Sequence, residues 1–152
     1  SHDRIEAHVR FLGLEPRARA DAQDPGDSGY YCQFRLPGAG LSDEEKIQRG
    51  RAVAAALSEY GLHPWFMHDF EIHVYYNLAP LVDKMPMNDG SPWALPGNAA
   101  SSHHTYQRGT LPVLDEAFVT TIGINVPSRL DAAHEAYIKR VLDYVYATHL
   151  RA

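Results

Sequence analysis

The 152-residue chain contains a single cysteine, Cys32. An intramolecular disulfide is therefore impossible, and cysteine usage gives no support to a secreted, disulfide-stapled fold. No apolar run approaches the roughly 20 residues that a membrane-spanning helix needs. The first residues also lack the apolar core of a signal peptide. We therefore expect a cytoplasmic protein with no membrane partner.

The sequence also lacks a concentration of positive charge. Its 14 lysines and arginines are outnumbered by 19 aspartates and glutamates, the net charge is -5, and the arginines are scattered along the chain. Because a nucleic-acid-binding protein needs a continuous basic surface to neutralise phosphates, we predict no nucleic-acid partner. No glycine-rich phosphate loop and no nucleophile elbow is recognisable either.

What is present fits one soluble domain. A chain of this length buries about two thirds of its unfolded surface in one core, and its apolar fraction of 45% and charged fraction of 22% are ordinary. We therefore predict a single domain over residues 1–152. Residues 78–116 are rich in proline and glycine without a clear period, yet they include Trp93 and Tyr106. This combination predicts an ordered covering loop.

Hydrophobic periodicity predicts four strands and two helices. Alternating patterns give strands at 4–12, 30–36, 66–77 and 118–126. A capping box at 42–45 starts a helix that runs to Tyr60, and Ser128 caps a second helix that ends near His149. The order strand, strand, helix, strand, strand, helix predicts an α+β fold. Its antiparallel sheet would carry both helices on one face, as in a permuted ferredoxin-like ββαββα plan.

The polar side of the 66–77 segment is the main functional lead. Glu71 and His73 are two residues apart and would project together from one strand, and His8 on the first predicted strand could join them. Two imidazoles and one carboxylate are the ligand set of non-haem iron enzymes, so we predict an Fe(II) site at these three residues. Ordinary hydrogen-bonded surface residues are the alternative. His68 points to the apolar side in this register, and a one-residue bulge would make it a ligand instead.

Side chains of the predicted covering loop and of the same sheet face suggest roles around such a site. His103 and His104, near the end of the loop, could form an acid/base pair, and we add Tyr75 of the sheet face as a third catalytic candidate. Arginine side chains hold carboxylates by paired hydrogen bonds. The candidate substrate-binding residues are therefore Arg10, Arg35 and Tyr31. Ordinary loop residues and surface charges remain the alternatives.

The segment Glu6-Ala7-His8-Val9-Arg10-Phe11 resembles the His-Ala-His-Val-Tyr-Phe opening of small DOPA-cleaving extradiol dioxygenases, with Glu6 in place of the first histidine. The histidine-bearing segment 68–77 and the chain length are similar too. The resemblance implies an enzyme that uses Fe(II) and dioxygen to open the ring of a catechol such as L-DOPA. His103 or His104 would then move protons, and Arg10 or Arg35 would hold the substrate carboxylate.

A related resemblance is to single-domain L-DOPA dioxygenases of the vicinal oxygen chelate group. It implies two β-α-β-β-β modules and a glutamate ligand on a late strand, for which Glu116 is the candidate. The competing class is a metal-independent small-molecule binding or isomerase domain, with its pocket at a homodimer interface. Both classes predict a small-molecule partner.

Overall fold

The computed structural model describes residues 2–17, 29–70, 74–127 and 129–151. The chain divides into two units. The first, which we call the sheet unit, comprises Ser1–Asp69 and Val119–Ala152, and the second, the small unit, comprises Phe70–Phe118.

The sheet unit is built around four antiparallel strands. They are β1 (Glu15–Pro16), β2 (Tyr31–Arg35), β3 (Pro64–Phe66) and β4 (Thr121–Asn125), in the spatial order β1-β2-β4-β3. Residue Ile122 of β4 lies opposite Phe34 on one side and opposite Phe66 on the other. The last strand in sequence is therefore central in the sheet. The predicted α+β class with an antiparallel sheet is confirmed.

Three longer helices belong to the sheet unit: α1 (His2–Phe11), α2 (Asp43–Glu59) and α5 (Ala132–Val145), the last extended by a π-helical turn over Tyr146–Leu150. Ser42 and Glu45 form the predicted capping box at the start of α2. Asp131 caps α5 by accepting the His134 amide at 2.8 Å, and Ser128 lies outside the described residues. No helix in the described part of the chain is long and apolar enough to cross a membrane.

One face of the sheet is packed against these helices. Alternate strand residues Cys32, Phe34, Phe66, Ile122 and Ile124 are buried there. They form one cluster with buried residues of all three helices, namely Ile5 and Val9 of α1, Ile47, Val53, Ala56 and Leu57 of α2, and Ile138, Val141, Leu142 and Val145 of α5. At Gly50 an added Cβ would lie 2.4 Å from the Phe66 ring. Helix α2 can therefore approach the sheet closely because this residue has no side chain.

The strand predicted at 4–12 is wrong, because this segment is helix α1. Its alternation of apolar residues also contains a helical spacing: Ile5 and Val9 are four residues apart and both fully buried, whereas Phe11 is 82% exposed. Arg10 donates to Glu6 at 2.5 Å across one helical turn. Both periods fit so short a segment, and packing against the core selects the helix.

The long strand predicted at 66–77 is also wrong. Strand β3 ends at Phe66, and a short 3₁₀ helix, Met67–Asp69, follows at once. Asp69 receives a bidentate hydrogen bond from Arg51 of α2, with Nη2 to Oδ1 at 2.8 Å. This ion pair favours a turn of the chain toward the helix instead of continued pairing with β4. Residues 71–73 lie outside the described residues, and a second 3₁₀ helix occupies Tyr75–Asn77.

The strand predicted at 118–126 is shorter, and helix α4 (Pro112–Thr120) precedes it. Pro112 at the first helical position is typical of a helix start. The apolar, β-branched run that follows favoured a strand in the sequence-based prediction. The predicted loop 78–116 also contains α3 (Ala79–Val82) and a 3₁₀ helix, Pro96–His103. Whether this segment covers a site stays a prediction.

Glu135 links α1 to α5 and should make folding pH-dependent. It accepts Lys139 Nζ at 2.8 Å and Arg4 Nε at 2.6 Å, and these hydrogen bonds lower its pKa below the usual 4.5. As the pH is lowered, Glu135 is therefore protonated in the unfolded chain at a higher pH than in the folded chain. The stabilisation by these hydrogen bonds is complete above pH 4.5 and is lost as the pH falls below that value.

We expect Glu135→Gln to unfold more readily in urea at neutral pH and to lose less stability than wild type as the pH is lowered. Urea midpoints measured from about pH 6 to about pH 3 test this. Glu59→Gln, at the exposed end of α2, is the control and should follow the wild-type curve. Parallel curves for wild type and Glu135→Gln would contradict the assignment.

Candidate functional site

The face of the sheet opposite the core, which we call the open face, carries polar and aromatic side chains. Tyr31, Gln33 and Arg35 alternate along β2 with the buried residues Cys32 and Phe34 and therefore project to the opposite side. Trp65 of β3, Gly123 and Thr121 of β4, and Glu15 of β1 stand in register with them. Since side chains alternate across a strand, the core-facing register fixes the orientation of all these residues.

Gly123 determines how Trp65 lies on this face. A Cβ built at Gly123 would be 2.2 Å from both Cε2 and Cζ2 of the indole. No real side chain occupies that space, so the ring lies directly against the backbone of β4. A glycine inside a central strand therefore has a packing reason here.

Tyr31 stands beside this indole as a wall. The two ring centroids are 5.8 Å apart and the planes are 81° apart, an edge-to-face arrangement. Tyr31 is 39% exposed, and Tyr30 meets it edge-on at 6.3 Å. We call Tyr31, Trp65 and Gly123 the aromatic corner. Its floor and wall offer two surfaces to a flat aromatic ring.

Two guanidinium groups lie next to the corner. Arg35 Nη1 is 3.9 Å from Glu15 Oε2, at the limit of an ion pair. Arg17, just after β1, donates from Nη1 to Gln33 Oε1 at 3.3 Å and from its backbone amide to the Gln33 carbonyl at 2.9 Å. Gln33 therefore ties Arg17 to the middle of β2.

The structure brings only some of the predicted site residues together. Tyr31 and Arg35 share the open face, and their substrate-binding role stays a prediction. Arg10 and His8 belong to α1, whose buried residues pack on the opposite face, so the predicted grouping of His8 and Arg10 with Arg35 on one sheet face is wrong. Its cause is the mistaken strand at 4–12, since a helix places these side chains by a period of 3.6 residues.

His8 has a carboxylate partner. Its Nε2 lies 2.8 Å from Asp143 Oδ1 of α5, and its ring stacks on Phe11 at 5.9 Å. The predicted ligands Glu71 and His73 lie outside the described residues.

The alternative ligands and the predicted acid/base pair are spread over other elements. His68 is in the 3₁₀ turn after β3, with Nδ1 3.1 Å from Asp69 Oδ1 and its ring stacked on Phe66 at 5.9 Å. Its hydrogen-bond partner is thus the neighbouring carboxylate. Glu116 is a partly exposed residue of α4, and His103 and His104 are both exposed.

Tyr75 is buried in the small unit, although the predicted strand placed it on the polar side. Its hydroxyl lies 3.1 Å from two acceptors, the Gln107 carbonyl and Asp115 Oδ2, and accepts from the Leu111 amide at 3.3 Å. Burial is the main reason that the pKa of Tyr75 is raised, and the Asp115 carboxylate adds to it. Tyr75 therefore stays protonated near neutrality and holds the turn before α4.

Asp115 is a residue that sequence reasoning missed. Its Oδ2 also accepts the Gly109 amide at 2.7 Å, while its buried Oδ1 has no hydrogen-bond partner among the described residues. No sequence pattern marks it, because it sits in an ordinary helical segment. Trp65, Gly123 and Arg17 were missed too, although a glycine inside a strand run is a recognised sign of close backbone approach.

One group of three potential metal ligands occurs within the described ranges. The ligand atoms of His2, Asp3 and Glu6 lie within 4.8 Å of one another. His2 Nε2 is held 3.1 Å from the Tyr31 carbonyl, and Glu6 is already paired with Arg10. Such ionic clusters are common on protein surfaces, so this one is not evidence of an iron site.

Comparisons of this chain with protein-family models, with curated proteins and with solved structures find no match. The interpretation of the open face therefore rests on its geometry alone.

The close contact between Gly123 and Trp65 can be tested directly. In a Trp93→Phe background, where Trp65 is the remaining tryptophan, Gly123→Ala should displace the indole and shift its fluorescence emission to longer wavelength. Overpacking should also lower the free energy of unfolding by about 1–3 kcal/mol. Gly97→Ala is the control, since nothing lies within 4 Å of its added Cβ. An unchanged Trp65 spectrum in Gly123→Ala would contradict the described packing.

Proposed function

We propose that this chain binds a small planar aromatic molecule on the open face of its sheet. The observation that carries the proposal is the aromatic corner, in which the Trp65 indole lies against Gly123 and the Tyr31 ring stands at 81° to it, with the ring centroids 5.8 Å apart. A ring placed there stacks on the indole and meets the tyrosine edge-on, the two geometries that aromatic pairs prefer.

The expected affinity is modest. Each aromatic contact contributes about 0.5–1.5 kcal/mol beyond simple area burial. A ligand of roughly a dozen heavy atoms at about 0.3–0.4 kcal/mol per atom then binds with a dissociation constant of about 0.3–2 mM. The absence of a basic stripe in this acidic chain disfavours a nucleic acid as the source of the ring.

We infer that the sheet unit follows a permuted ferredoxin-like plan. Its support is the antiparallel order β1-β2-β4-β3, with α2 connecting β2 to β3 and α5 following β4. Two β-α-β-β-β modules would need more than the four strands of the described residues, which argues against the vicinal oxygen chelate alternative. A permuted ferredoxin-like sheet has one face covered by helices and one face available for ligands.

Ligand-observed NMR with catechol and 4-methylcatechol, two neutral rings, tests the proposed binding. Saturation transfer from the protein to the ligand should be seen with wild type and should disappear with Trp65→Ala. The apparent affinity should fall about tenfold with Tyr31→Ala. Tyr144→Ala is the matched control, because Tyr144 is an exposed tyrosine of α5 that packs edge-on with Tyr60. Binding that survives Trp65→Ala would overturn the proposal.

Ring cleavage of a catechol such as L-DOPA is the second candidate function, with His8 as the candidate Fe(II) ligand in the sheet unit. The His8–Asp143 contact favours it, because histidines that bind metals usually have their second ring nitrogen held by a carboxylate. Fe(II) would supply the activation of dioxygen. Asp143 would fix the orientation of the His8 ring.

This second candidate predicts that iron-loaded protein consumes oxygen with L-DOPA and forms a yellow ring-opened product. His8→Ala should lower the rate about a hundredfold, and Asp143→Asn about tenfold. His134→Ala is the control, because His134 forms a similar histidine–aspartate contact on the surface of α5. No oxygen uptake with iron and any catechol would exclude this function and leave ring binding unaffected.

A further inference from the structure

We propose that the natural ligand is an arylalkanoate, an aromatic ring joined to a carboxylate by a short flexible chain, whose acid group is held by Arg35 and Arg17 next to the aromatic corner. This inference rests on the proposed binding of an aromatic ring and adds the chemical class of the ligand. Three observations carry it: the carboxylate partners of the two guanidinium groups, their separation from the corner along β2, and the net charge around them.

The two arginines differ from others that are neutralised within the fold. Arg4 Nε is 2.6 Å from Glu135, Arg10 Nη2 is 2.5 Å from Glu6, and Arg51 Nη2 is 2.8 Å from Asp69. By contrast, Arg35 has one carboxylate neighbour at 3.9 Å among the described residues.

Arg17 bonds a neutral amide oxygen of Gln33. In a chain of net charge -5, guanidinium donors with no carboxylate closer than 3.9 Å in the described ranges are suited to an external anion.

Strand geometry sets the separation of ring and acid. Trp65 is in register with Gly123, and Gly123 with Gln33. Arg35 is the next residue along β2 on the same face, a step of about 6.7 Å. A ring stacked on the outer side of the Trp65 indole therefore places a flexible side chain of a few atoms within reach of Arg35. A carboxylate attached directly to the ring is held farther from Arg35.

The net charge of the groups around Arg35 favours a ligand with a single negative charge. Among the residues that the structure describes here, Arg17 and Arg35 contribute two positive charges and Glu15 contributes one negative charge, which gives a net charge of one positive. A carboxylate neutralises that charge, whereas a phosphate dianion leaves an excess beside Glu15. Arg35 and Glu15 are both at least partly exposed, so screening by salt should weaken the attraction.

The test compares 3-(3,4-dihydroxyphenyl)propanoate with its neutral amide, by NMR titration of the full chain. We expect the acid to bind about tenfold more tightly than the amide at low salt. Arg35→Gln should remove this difference, and Arg17→Gln should reduce it about threefold, while both variants keep their affinity for the amide. Arg140→Gln, an equal charge change on α5 where the guanidinium faces Tyr137, should leave the difference intact.

Benzoate and phenyl phosphate complete the comparison. Benzoate should bind more weakly than the propanoate, because its acid is too close to the ring. Equal affinities for acid and amide would overturn the carboxylate assignment while leaving ring binding in place, and so would an equal effect of Arg140→Gln. Tighter binding of phenyl phosphate would replace the carboxylate with a phosphate. Failure of every probe, the neutral catechols included, would overturn the proposed function as well.

Discussion

The pairing of β4 between β2 and β3 is the constraint on which the rest of the sheet unit depends. Ile122 and Ile124 project from one side of this strand into the helical core, and Gly123 between them leaves the other side flat. Burial of the two isoleucines fixes the register, because a slip of one residue would expose them. The same register brings Trp65 over Gly123, so the core and the aromatic corner are two consequences of one set of strand pairings.

This arrangement separates the stabilising side of the molecule from the side on which we propose that a ligand binds. Helices α1, α2 and α5 pack on the covered face, where Gly50 gives room to the Phe66 ring. Tyr31, Trp65, Gln33 and Arg35 lie on the open face. Substitutions of these four side chains should change the proposed ligand contacts and leave the helical core in place. An open sheet face supported by a rigid core is a suitable place for weak, selective recognition of a small ligand.

Local sequence patterns, namely a capping box and the spacing of apolar residues, predicted part of the fold. The capping box at Ser42 and the apolar spacing of α2 and α5 predicted both helices, and the 30–36 alternation predicted β2. The strand predicted at 4–12 is wrong, because Ile5 and Val9 fit both a strand and a helix and only their tertiary contacts decide. For the site, Tyr31 and Arg35 followed from β2. Trp65 precedes the alternation predicted at 66–77, and its contact with Gly123 depends on a strand register that the sequence does not reveal.

The central claim is that a ligand ring occupies the corner over Gly123. It is tested most directly by ¹H–¹⁵N NMR of the labelled chain during titration with 3-(3,4-dihydroxyphenyl)propanoate. The account predicts that the largest shift changes are at the Trp65 indole N–H and at the amides of Gly123, Gln33 and Arg35. Changes centred instead on His8, Asp143 and their neighbours, with the Trp65 and Gly123 signals unmoved, would contradict it.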